Sequence, residues 1–306
     1  MEYNTKNLRK KGRIMALGEP KRMEELNYFE LLAWLGIGSS HPGGFPATQQ
    51  NLDALQVSQE DFVLDAGCGS GLTACYLAKT RGCKIIGIDL NAQMVEKACQ
   101  RAVNEGVSHL VEFRVADVYQ LPFDDNCFDL VLAESITVFL NKVNVYQEFS
   151  RVLKPEGRVG DLEMVLMKEL PSNLRTQMEE CFGSGTDPLR YEEWLDAIAQ
   201  AGFQDVEIKN PQRLKNNGNV IVNALMNDWM LIKDLKNKVL SQPGVLSRLQ
   251  KNAGFMKRNM GYFGYGLVYG RKPSPPLLDQ KLTIKNRILL LFRTLPNVYR
   301  HMLFSK

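Results

Sequence analysis

Across 306 residues the chain carries 38 basic and 34 acidic side chains, net +4, with 44% apolar and 24% charged residues. This length exceeds one ~100–200-residue domain, and the composition is that of a soluble globular protein. No apolar run approaches ~18 residues, so no membrane-spanning helix is predicted.

Charge is unevenly placed. Residues 1–22 carry net +5 and residues 271–306 net +7, which leaves net −8 between them. An acidic body with two basic ends suits a neutral or cationic small molecule better than nucleic acid. The six cysteines (68, 75, 83, 99, 127, 181) form no C-x-x-C pair and no metal spacing. Residues 1–22 contain no signal-peptide core. A reducing cytoplasmic setting is expected.

In chain order, residues 1–22 are polar and residues 23–35 have helical apolar spacing. A turn-rich loop, Gly38-Ser-Ser-His-Pro-Gly-Gly-Phe-Pro46, leads to a short predicted helix at about 47–55. Val63-Leu-Asp-Ala-Gly-Cys-Gly-Ser-Gly71 follows. It reads as a strand ending in Asp65, a turn with Gly67, Gly69 and Gly71, and a helix. The G-x-G-x-G spacing differs from the G-x-G-x-x-G of dinucleotide-binding folds. A carboxylate two residues before the first glycine repels phosphate and suits an ammonium group.

A second strand, Lys84-Ile-Ile-Gly-Ile-Asp89, also ends in an acid. A carboxylate there can accept both ribose hydroxyls of a nucleoside. Met94 on the next helix can pack on an adenine, and Asp117, after the strand Val111–Ala116, can meet the adenine amino group. The implied ligand has a cationic amino-acid end, a ribose and an adenine, and no phosphate. S-adenosylmethionine fits that description.

With these elements in this order, the chain resembles class I S-adenosylmethionine-dependent methyltransferases, of the type 11-like, small-molecule branch. The match runs from about Asn51 to Lys209 and resumes at Tyr262–Lys272. It includes Leu121-Pro-Phe-Asp-Asp-Asn-Cys-Phe-Asp-Leu-Val131, Arg151-Val-Leu-Lys-Pro-Glu-Gly157 and Tyr191-Glu-Glu-Trp…Ala201-Gly-Phe203. Glu156 departs from the family's K-P-G-G turn.

The resemblance implies an α/β, Rossmann-like seven-stranded mixed sheet, its last strand antiparallel, with helices on both faces and a helical cap. Phe203–Lys209 would be the sixth strand and Tyr262–Arg271 the seventh. The expected organisation is an N-terminal basic segment and helical lid (1–50), a cofactor-binding core (51–210), an inserted cap (211–260), the last strand (261–273) and a basic amphipathic tail (274–306). Within the cap, apolar spacing from Val220 to Ile232 and the Pro243-Gly244 break predict two helices. The tail is expected to dock on its own domain or a partner, or to lie on an anionic membrane.

The cofactor residues implied are Asp65, Gly67, Gly69, Asp89, Leu90, Met94, Asp117, Val118 and Glu134. Methyl transfer needs a base only where the nucleophile must lose a proton. Three candidates for such roles are Glu134, at the end of the fourth strand, Glu163, placed at the end of the fifth, and His41 in the Pro-Gly-Gly loop. For Glu134 and His41 a structural role is the alternative; Glu163 is favoured for the site over Asp161, which alternation puts on the same side. Cys181 matches one thiolate position of arsenite methyltransferases, but partner thiols are missing and one thiolate is a poor soft-metal site. No metal is expected. The function read here is methyl transfer to an oxygen or nitrogen of a small molecule. The alternatives are a catalytically silent cofactor-binding scaffold and a thiol or metalloid methyltransferase.

Overall fold

The computed structural model describes residues 28–37, 41–214 and 242–275. The basic N-terminal segment, the predicted cap residues 219–241 and the tail beyond 275 lie outside the described residues.

Strands and helices alternate through the core: β1 (Phe62–Ala66), α3 (Leu72–Arg81), β2 (Lys84–Asp89), α4 (Ala92–Asn104), β3 (Val111–Val115), β4 (Phe128–Glu134), α5 (Lys142–Val152) and β5 (Leu153–Leu166). They are preceded by α1 (Tyr28–Leu35) and α2 (Gly44–Ala54). After them come α6 (Ser172–Phe182), β6 (Leu189–Arg190), α7 (Tyr191–Gln200), β7 (Gln204–Arg213), α8 (Pro243–Asn259) and β8 (Phe263–Arg271).

The sheet order is β3-β2-β1-β4-β5-β8-β7, with the two-residue β6 paired to the far end of β5. Only β8 runs antiparallel to its neighbours. The predicted seven-stranded mixed sheet is therefore observed, with β6 as a small addition. β1 lies between β2 and β4, so strand order reverses there and a crevice opens at the carboxyl ends of these strands.

The central strands read as near-continuous apolar runs because both faces are covered. On one face Tyr146, Phe149, Trp194 and Ile198 of α5 and α7 pack against Leu64, Val131 and Val159. On the other, Leu52 of α2, Leu55 just after it, Leu77 of α3 and Ala98 of α4 pack against Val63, Ile85 and Leu132. Above the carboxyl edge, α1, α6 and α8 form an aromatic cap. Tyr28 stands edge-on to Phe182 at 5.1 Å, Phe182 meets Phe255 at 6.0 Å, and Phe255 reaches Phe263 of β8.

Candidate functional site

The turn after β1 is built by hydrogen bonds to β2. Gly67 N–H and Cys68 N–H both donate to the Ile88 carbonyl at 2.8 Å. Gly69 N–H donates to Asp89 Oδ2 at 3.0 Å, and Asn91 N–H to Asp89 Oδ1 at 2.8 Å. Asn91 then caps α4 through Gln93 and Met94 N–H. Two glycines are required by space as well as by their left-handed φ of 76° and 75°. A Cβ on Gly67 would lie 2.5 Å from Ile136 Cγ2, and one on Gly71 2.8 Å from Ala98 Cβ.

Strand register puts three acids on one face. Asp65 pairs with Gly87 and with Leu132, and Asp89 and Glu134 each follow two residues later. Side chains alternate along a strand, so all three carboxylates point to the side covered by α2, α3 and α4. Asp65 is 3% exposed, and its Oδ2 has no hydrogen-bond partner among the described residues. Burial, then the nearby Glu134 and Asp89, push its carboxyl well above the usual range. Burial also raises Asp89, against the two backbone N–H groups that favour its charge.

An orphaned buried carboxylate oxygen beside two further acids fits a cationic group and disfavours a phosphate. These residues therefore fit S-adenosylmethionine. Of the expected contact residues, Met94 is buried on α4, Leu90 is exposed after β2 (73%), and Val118 is half-buried after β3. Asp117 is exposed, and its Oδ1 accepts Tyr119 N–H at 2.9 Å. The Asp89 carbonyl accepts Ala116 N–H, which brings the loops after β2 and β3 together.

Glu134 is held on both oxygens. Thr48 of α2 donates to Oε1 and Thr73 of α3 to Oε2, each at 2.7 Å. His41 Nε2 lies 3.0 Å from the Thr48 hydroxyl and 3.9 Å from Glu134 Oε1. Two of the three candidate chemical residues, His41 and Glu134, are thus brought together. The threonines joining them were missed in the sequence, because a hydroxyl on an amphipathic helix carries no distinguishing pattern.

Glu163 goes elsewhere. β5 continues to Leu166, three residues past it, and Leu162 pairs with Glu134. Alternation therefore sends Glu163 and Asp161 to the opposite face from Glu134. Both are fully buried. Glu163 Oε1 accepts Val138 N–H at 3.0 Å, and Asp161 Oδ2 accepts the Tyr146 hydroxyl at 2.8 Å. Burial pushes Asp161 up to about 7, and burial together with Asp161 pushes Glu163 well above the carboxylate range. The pair sits beneath the loop that follows Glu134.

Cys181 is a buried thiol of α6, raised by burial. Among the described residues no three His, Cys, Asp or Glu side chains converge as metal ligands.

Residues 64–160 match the family described as a methyltransferase domain. An uncharacterized methyltransferase, YodH, of Bacillus subtilis (strain 168) is 35% identical over 180 residues, which span 59% of this chain and 76% of that protein. The sterol 24-C-methyltransferase erg6 of Aspergillus fumigatus is 34% identical over 148 residues, 46% of this chain and 39% of that one. Among solved structures, the [4+2]-cyclase SpnF superposes with a TM-score of 0.62 at 21% identity, over 81% of this chain and 93% of that one. The chain belongs to the class I S-adenosylmethionine-dependent methyltransferases. It is an enzyme of that class, with S-adenosylmethionine as cofactor.

Proposed function

We propose that the chain methylates an oxygen or nitrogen of a small, largely apolar molecule held beneath the cap. The observation that carries this reading is that two unlike features stand at the carboxyl edge of the sheet. One is the acidic face of Asp65, Asp89 and Glu134; the other is the aromatic cluster of Tyr28, Phe182, Phe255 and Phe263. The first favours a cationic cofactor and the second an apolar acceptor.

The cofactor supplies an activated methyl group for in-line displacement. The chain's own part is to orient and to exclude water. Asp65 faces the cationic end, Asp89 receives the ribose, and Asp117, Leu90, Met94 and Val118 flank the base. Tyr265, half-buried and donating to Gln212 Oε1 at 2.9 Å, stands against the Gly43 turn on the acceptor side. The sterol methyltransferase among the relatives supports an apolar acceptor. The preference for oxygen or nitrogen rests on the family resemblance.

No helix among the described residues is long and apolar enough to cross a membrane. On the scattered cysteines, which form no C-x-x-C pair, we place the activity in the cytoplasm, with the tail 274–306 docked on its own domain or a partner, or lying on an anionic membrane.

The test is transfer of a labelled methyl group from S-adenosylmethionine to a panel of isoprenoid, phenolic and amine acceptors, with nucleic acid as a control. Transfer to nucleic acid alone would overturn the reading. A second reading is a cofactor-binding scaffold silent in methyl transfer; a neighbour of this fold is named a [4+2]-cyclase rather than a methyltransferase. Cofactor binding without transfer to any acceptor would favour it.

A further inference from the structure

We infer that Thr48 is a positioning residue that fixes the Glu134 carboxylate and makes the buried His41 a hydrogen-bond donor rather than a base. The argument is one of proton counting. Thr48 is fully buried and its hydroxyl has one proton. Glu134 Oε1 lies 2.7 Å away, a length typical of a hydroxyl donating to a carboxylate. The proton belongs on that bond, because the reverse arrangement would set two lone pairs against each other at 2.7 Å. Thr48 is then left with lone pairs only toward His41 Nε2, 3.0 Å away. His41 Nε2 must therefore carry a hydrogen.

The other ring nitrogen offers no base to a substrate. Nδ1 lies 3.3 Å from the Pro42 carbonyl oxygen, which can only accept, so that nitrogen too is turned toward an acceptor and presents no lone pair to a substrate; the residue is 5% exposed. His41 thus completes a chain from the loop before α2, through Thr48, to Glu134, which Thr73 closes from α3. The chain latches the segment N-terminal to β1 onto the end of β4. It also holds Glu134 on the same face as Asp65, where both negative charges bear on the cationic end of the cofactor. Threonine suits this position because its branched side chain has few rotamers on a helix, so the hydroxyl direction is preset. The inference concerns the cofactor side and holds whatever the acceptor is.

The test uses the full chain and S-adenosylhomocysteine as the probe. Long-range nitrogen-15 correlation spectra of the wild type should show His41 protonated at Nε2, with and without the probe. Thr48→Val, which keeps the shape and removes the hydroxyl, should weaken binding by about tenfold or more, as expected for a lost hydrogen bond to a charged group. Thr48→Ser should recover most of that loss. His41→Gln, whose amide can still donate to Thr48, should bind more tightly than His41→Ala. An unprotonated Nε2 in the wild type would overturn the inference, as would unchanged binding by a folded Thr48→Val. Should Thr48→Val fail to fold, the wild-type spectrum and the His41 pair decide the matter.

Discussion

Arg151, at the end of α5, donates to the carbonyl of Leu121 at 3.0 Å, thirty residues earlier in the chain. The same guanidinium donates to the Phe123 carbonyl and to Asp125, and Glu148, its partner one turn back, accepts Leu121 N–H. The two sequence motifs that flank β4, one beginning at Leu121 and the other at Arg151, are a single clasp.

Arg151→Lys is expected to break that clasp. An ammonium cannot reach two carbonyls and two carboxylates in one plane. The loss should be about 1–2 kcal/mol of unfolding free energy, read by urea denaturation, with cofactor affinity little changed. Stability equal to wild type would show that the loop is held by its apolar contacts alone.

Asp89→Ala should weaken S-adenosylhomocysteine binding by about ten- to a hundredfold. It removes the proposed ribose acceptor and frees Gly69 and Asn91 N–H, the anchors of the glycine turn and of the α4 cap. Calorimetry checks this, and nicotinamide dinucleotides should show no binding to either protein.

The buried acids predict a pH dependence of defined sign. Asp161 has an ordinary value of 3.8 and a folded value of about 7, so the folded chain holds its proton more tightly than the unfolded one. The stability this contributes is complete below about pH 4 and is lost as pH rises through about 7. Relative to Asp161→Asn, the wild type should therefore lose melting temperature steadily across that window. Asp65 is shifted in the same direction. Asp65→Asn should raise the melting temperature of the ligand-free protein at pH 7.5 while weakening cofactor binding. A parallel pair of melting curves for wild type and Asp161→Asn would show that the pair is not protonated in the fold.

Glu156→Gly should stabilise the protein. Glu156 has φ 66°, a left-handed conformation that costs a side chain about 1–2 kcal/mol. Its compensation is an exposed ion pair with Arg271 and a contact from Ser274, the former worth less than about 1 kcal/mol. Thermal melting should show a net gain, largest at high salt where the ion pair is screened.

What the sequence revealed and what it hid follow from the range of each interaction. Asp65 and the glycines declared themselves because a strand, a turn and a helix start lie within nine residues governed by local steric rules, and Asp89 because it ends an apolar strand of its own, Lys84–Asp89. The antiparallel last strand came with the family resemblance rather than from periodicity. Glu163 was expected at the end of β5, which instead runs on to Leu166. The end of β5 could not be fixed to within a residue or two, and a one-residue difference sends a side chain to the other face. Thr48 and Thr73 were hidden because their partner, Glu134, is 86 and 61 residues away, and no local pattern records such a pairing.

The reversed direction of β8 separates two evolutionary tasks. β7 ends and β8 begins at the same edge of the sheet, where Leu214 N–H donates to the Phe263 carbonyl. The chain between them therefore leaves and returns at one edge of the sheet. The glycine turn lies at β1, three strands from β8 in the sheet order. With the acceptor held beneath the cap, as proposed, that excursion and the glycine turn can change independently of each other.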